Sequence, residues 1–137
     1  MSGILVVSND GIGLARTLSA LNAAGYQASG ASSFEEAKRF LADRSPDLVI
    51  ADECLGAFNG LHVIMRARAI HPEVSAIVTT PVKSRGLEAD ARSLNVQWML
   101  KPQTPADWLA PISRTLRTDA IAAASACTHD AASHLVH

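Results

Sequence analysis

Five short apolar runs, each followed by an amphipathic stretch, constrain the fold of this chain more than any other feature. The runs are Ile4–Val7, Tyr26–Gly30, Leu48–Ala51, Ala76–Thr80 and Val96–Leu100. The first, third and fourth are continuously apolar, as expected of strands buried on both faces of a parallel sheet. Between them the apolar residues recur at helical spacing. Leu14, Leu18 and Leu21 line one face, with Gly25 as a stop. Ser33 and Glu36 have the spacing of a capping box ahead of Phe34, Ala37 and Leu41. Leu61, Ile64 and Arg68 open a third helix that must end by His71-Pro72, and Leu87, Ala91 and Leu94 mark a weaker fourth. Thr104, Pro105 and Asp107 start a fifth, continued by Leu109, Ile112 and Leu116, with a kink expected at Pro111. Strand–helix alternation repeated five times predicts an α/β fold with a doubly wound five-stranded parallel sheet.

Such a fold places its chemistry in the loops at the strand C-termini. Ser8, Asn9 and Asp10 follow the first strand, Asp52 ends the third, Thr80 the fourth and Lys101 the fifth. One polar residue at a strand end means little, because strands must meet water somewhere. A carboxylate, a hydroxyl and an ammonium on neighbouring strand ends are suited to a phosphoryl group, with Asp52 as nucleophile and Thr80 and Lys101 contacting its oxygens.

The composition narrows the alternatives. With 48% hydrophobic and 18% charged residues over 137 positions, the chain suits one globular domain. A net charge of −1 gives no general attraction to nucleic acid or to anionic membrane. No apolar run approaches the roughly 20 residues needed to span a bilayer, and no signal peptide is recognisable. The two cysteines, Cys54 and Cys127, form no disulfide framework, which fits a reducing cytosol. Gly11-Ile12-Gly13 opens a helix after a strand, but Arg16 fills the third small position of a dinucleotide fingerprint and no acid ends the second strand. No phosphate-cradling loop or nucleophile–base pair points to an enzyme. His62 and His71 lack spaced partner ligands, and Arg66 and Arg68 read as a solvated face. Residues 118–137 are rich in Ala, Ser and His and form a tail, either a helix extension or disordered; His129, His134 and His137 match no specific metal spacing.

The order Ile4-Leu5-Val6-Val7, Gly25-Tyr26, Pro46-Asp47-Leu48-Val49-Ile50-Ala51-Asp52, Gly60, Thr80 and Lys101-Pro102 resembles the CheY-like receiver domain of bacterial response regulators, over residues 1–117. The resemblance implies a flavodoxin-like (βα)5 fold with strand order 2-1-3-4-5. It implies a two-component signalling role in the cytoplasm, with Asp52 as the phosphoacceptor from a histidine kinase or phosphotransfer protein. Thr80 then stands for the switch hydroxyl, Lys101 for the invariant lysine, Gly60 for the loop glycine and Trp98 for the switch aromatic. The face of helix four, strand five and helix five becomes the surface that changes, and a homodimer through it is a further partner expectation. Direct binding of nucleic acid or membrane is not expected.

The chain departs from this family where the metal is held. Two adjacent acids after strand one normally bind magnesium together with the phosphoacceptor and a backbone carbonyl two residues beyond it. Here the acids are replaced by Ser8 and Asn9, leaving Asn9, Asp52, the Cys54 carbonyl and, as an added candidate, Asp10. Glu53 is a second acid that sits close by in sequence. A unit charge at about 4 Å from a cation is worth roughly 1 kcal/mol in water and roughly 4 at an effective dielectric of 20. Losing two carboxylates therefore weakens the site by orders of magnitude, and magnesium is expected to bind weakly or not at all. Gly56 and Pro81 are milder departures, and Asn95 stands where a glycine is common, asparagine tolerating a left-handed backbone better than most residues. Two functions follow: a phosphoaccepting receiver, or a phosphorylation-independent pseudo-receiver that acts as a protein–protein interaction module.

Overall fold

The computed structural model describes residues 3–102 and 104–116; the 118–137 tail lies outside them. The element order is β1 (Gly3–Val7), α1 (Gly11–Ala23), β2 (Gln27–Ala31), α2 (Phe34–Asp43), β3 (Leu48–Asp52), β4 (Cys54–Leu55), β5 (Phe58–Asn59), α3 (Gly60–Ile70), β6 (Ser75–Thr80), α4 (Arg85–Ser93) and β7 (Gln97–Leu100). A 3-10 turn, Pro105–Trp108, then leads into a last described helix over 109–116. The main sheet is parallel throughout, in the order β2-β1-β3-β6-β7. With the two-residue strands β4 and β5 set aside, this is the expected 2-1-3-4-5. Those two strands form a small antiparallel hairpin of their own, which no periodicity in the sequence announced.

Side chains alternate between the two faces of each strand, and the sequence of β1 and β3 supplies both faces with apolar groups. Leu5, Val7, Val49 and Ala51 pack with Ala37, Leu41, Leu61, Ile64, Leu87 and Ala91 under α2, α3 and α4. Ile4, Val6, Leu48, Ile50 and Ile77 pack on the other face with Leu21 of α1 and with Trp108 and Ile112. That is why these runs carry no polar alternation. The outer strands β2 and β7 are only partly buried.

The helix starts are set locally. Asp10, Ser33, Asn59 and Ser84 each accept a backbone N–H of the first turn of α1, α2, α3 and α4. Asn95 takes the left-handed conformation (φ 56°) after α4. Arg68 of α3 donates to the carbonyls of Leu94 and Asn95, tying that turn to the neighbouring helix. Pro111 breaks nothing. The α-helical stretch begins only at 109, so Pro111 falls in its first turn, where amide hydrogens have no intrahelical partner. Thr104 makes no side-chain cap, and the turn it precedes is 3-10 rather than α.

Candidate functional site

At the C-terminal edge of the sheet, β1, β3, β6 and β7 deliver four side chains to one point. Asp52 ends β3 and keeps 17% of its side chain exposed. Lys101 follows β7 and reaches across with its Nζ 2.9 Å from Asp52 Oδ2. Ser8 follows β1, is buried, and donates its Oγ hydrogen to the same Oδ2 at 2.6 Å. Thr79 donates its Oγ1 hydrogen to Asp52 Oδ1 at 2.6 Å. Lys101 Nζ also lies 3.3 Å from Ser8 Oγ, which accepts the Asp10 N–H at 3.2 Å.

The hydroxyl at Asp52 is therefore Thr79, and the assignment of Thr80 is corrected. Asp52 and Thr79 are partners in the β3–β6 register and share a face of the sheet. Thr80 is one residue on, so its side chain lies on the opposite face. Its Oγ1 donates to the Val82 carbonyl at 2.8 Å and closes the turn after β6. Pro81 directly after Thr80 was the signal that the strand ends there. Ser8, counted in the sequence only as a missing acid, is the other residue whose role was not foreseen.

The remaining site residues fall around this cluster. Asn9 is exposed. Asp10 is turned to α1, where its Oδ1 accepts the Gly13 N–H at 3.2 Å. Its carboxylate packs where a Cβ on Gly13 would stand, 2.4 Å away, so the glycine there serves the cap and not a dinucleotide. Cys54 is exposed and is taken into β4 opposite Asn59. The Glu53 N–H donates to the Thr79 carbonyl at 2.7 Å, and the Glu53 carbonyl accepts the Gly60 N–H at 2.8 Å. A Cβ at Gly60 would stand 2.1 Å from the Asp52 carbonyl oxygen, so the chain can fold back over the acceptor aspartate only with glycine there. Trp98 is partly buried on β7, in register with Val78, against the α2, α3 and α4 side of the sheet.

The donor set does not fit the magnesium ion that the resemblance implies. Magnesium takes hard anionic oxygens, and among the described residues Asp52 is the one carboxylate in this cluster. Among the described residues no three His, Cys, Asp or Glu side chains converge on a point. What the arrangement offers instead is a carboxylate held by an ammonium and two hydroxyls. Beside it lies an open groove of ≈ 520 Å³ whose lining includes Asp10, Arg16, Thr17, Lys101 and Trp108. Among the described residues no helix is long and apolar enough to cross a membrane.

No family model matches the sequence, and no curated protein matches it. Solved structures do. A CheY-like response regulator receiver domain protein from Methanospirillum hungatei superposes with a TM-score of 0.80 at 22% identity, covering 87% of this chain and 96% of that one. The Vibrio cholerae chemotaxis protein CheY4 gives 0.77 at 19% identity, covering 84% and 98%. NtrX from Brucella abortus gives 0.83 at 20% identity over 91% of this chain, which spans only 29% of that longer protein. The chain thus has the fold of a CheY-like response-regulator receiver domain.

Proposed function

We propose that this chain is a two-component receiver module in which Asp52 accepts a phosphoryl group from the phosphohistidine of a histidine kinase or phosphotransfer protein. The observation that carries the reading is the convergence of Thr79 and Lys101 on Asp52 at one edge of the sheet, each within hydrogen-bond distance of its carboxylate. An oxygen of Asp52 attacks phosphorus, the P–N bond to the donor imidazole breaks, and the imidazole leaves and takes its proton from solvent. The product is an acyl phosphate. Lys101 and Thr79 stand where they would meet the phosphoryl oxygens, so charge developing on transfer has donors already in place. The reading places the protein in the cytoplasm, where two-component receivers meet their kinases.

A second reading has its own observation. Ser8 and Lys101 already satisfy Oδ2 in the unmodified chain, and among the described residues no second acid joins the cluster. A site so closed suits a pseudo-receiver that docks a partner through the α4, β7 and last-helix face whatever the state of Asp52.

Intact mass after incubation with acetyl phosphate separates the two. The first reading expects one phosphate increment on the wild type and none on Asp52→Asn. Absence of an increment at every magnesium concentration overturns it and leaves the interaction module.

A further inference from the structure

We infer that Asp52 takes the phosphoryl group on Oδ1, in a site that works without a divalent cation, with Ser8 as the positioning residue that fixes Oδ2. The inference rests on the acceptor reading above and deepens it.

A carboxylate offers about four lone-pair sites. Oδ2 accepts from Ser8 Oγ at 2.6 Å and from Lys101 Nζ at 2.9 Å. Among the described residues Oδ1 accepts from Thr79 alone, at 2.6 Å. Oδ2 is full, and the free lone pair is on Oδ1. The nucleophilic electrons therefore lie on the side that Thr79 flanks.

The direction of the Ser8 hydrogen bond follows from its neighbours. The Asp10 N–H and the Lys101 ammonium approach Ser8 Oγ at 3.2 and 3.3 Å, and neither group can accept a hydrogen. The single Ser8 hydrogen must go to Asp52, and both Ser8 lone pairs are taken. A cation arriving at Oδ2 would meet the hydrogens of a hydroxyl and an ammonium, with no free lone pair on Oδ2 or on Ser8 Oγ. It would also meet no net charge, because Lys101 cancels Asp52. Asp10, the acid that follows Ser8 and Asn9, is turned to the Gly13 N–H. Lys101 supplies positive charge from within the protein at the oxygen a cation would approach, and Ser8 fixes that oxygen, leaving the open lone pair on Oδ1.

The test uses the full chain and acetyl phosphate as donor; the P–O bond breaks and acetate leaves. Initial rates of adduct formation are read by intact mass in EDTA and in millimolar magnesium, for wild type, Ser8→Ala and Ser8→Asp. The wild-type rate is expected to differ less than about twofold between the two buffers, and Ser8→Ala to be about tenfold slower in both, the loss of one hydrogen bond to a charged group. Ser8→Asp puts a like charge beside Asp52, and its rate is expected to depend on magnesium by about tenfold or more. A wild-type rate that needs magnesium by that factor overturns the inference. Thermal melting with and without magnesium, in the absence of any donor, keeps the two proposals apart. A wild-type midpoint that magnesium leaves in place supports a site that binds no divalent cation; if no adduct forms either, the acceptor reading falls and the assignment of Oδ1 falls with it. A saturable rise that Asp52→Asn abolishes overturns the cation-free site whether or not the adduct forms. Ser8 is buried, so the wild-type arms carry the decision if Ser8→Asp does not fold.

Discussion

The two adjacent threonines at the end of β6 have opposite roles because strand parity gives them opposite faces. Among the described residues Thr79 is the one donor on Oδ1, where the open lone pair of Asp52 lies. Thr80 holds the turn at Val82. Thr79→Ala is expected to slow phosphoryl acceptance from acetyl phosphate about tenfold, and Thr80→Ala less than twofold. The reverse order of the two rates would return the role to Thr80. This is also where the sequence was least legible. A run such as Ser75–Thr80 that is buried on both faces carries no polar alternation from which to read parity. Only the register Asp52 to Thr79 settles it, and register is a property of two strands. Ser8 was hidden for a related reason. Its contact with Asp52 spans 44 residues of sequence, and a serine where acids are usual looks like a loss until the carboxylate it bonds is in view. Asp52 and Lys101 were legible because each is a charged residue at the end of an apolar run.

At the scale of elements, the helix starts were written most plainly. Ser33 accepts the Glu36 N–H at 3.2 Å, as the spacing predicts, but the return half of the box shifts by one residue. The Glu36 carboxylate accepts the Ser32 N–H at 2.9 Å and the Ser32 hydroxyl at 3.0 Å. These two bonds, with Arg39 adding to them, hold the Glu36 carboxyl below its usual value of 4.5. The sign is fixed by linkage: a lowered folded-state value gives stability that is fully present above pH 4.5 and is lost as pH falls through the folded value. Urea melts of Glu36→Gln and wild type are therefore expected to diverge above that pH and to converge below it. Ser33→Ala should cost about 1 kcal/mol at neutral pH. A gap for Glu36→Gln that widened on acidification would remove the assigned cause. The β4–β5 hairpin was out of reach of such reasoning, since two-residue strands have no period. It is held from outside, by Phe58 stacked on Phe34 of α2 with ring centroids 4.4 Å apart.

The described region is built on one five-stranded sheet with an apolar layer on each side, and the two tryptophans report on different layers. Trp98 lies against the α2, α3 and α4 side, and Trp108 is buried on the α1 side with Ile112. The central strands β1 and β3 belong to both layers, because their alternate residues feed alternate faces. Neither layer can be lost without exposing the other face of the same strands, so the sheet couples them. This coupling was legible from the start in the runs Ile4–Val7 and Leu48–Ala51, which make sense only if both faces are covered. The consequence is a single cooperative unfolding transition over the described region. Trp98→Phe leaves fluorescence from Trp108, and Trp108→Phe leaves it from Trp98. Ile112→Ala and Ile64→Ala, one in each layer, are each expected to cost about 2–5 kcal/mol. Introduced singly into both reporter backgrounds, each is expected to shift the urea midpoint seen by either tryptophan by the same amount. If Ile112→Ala moved the Trp108 transition and left that of Trp98 in place, the two layers would be separate folding units, and a change at Asp52 would have no shared sheet through which to reach both.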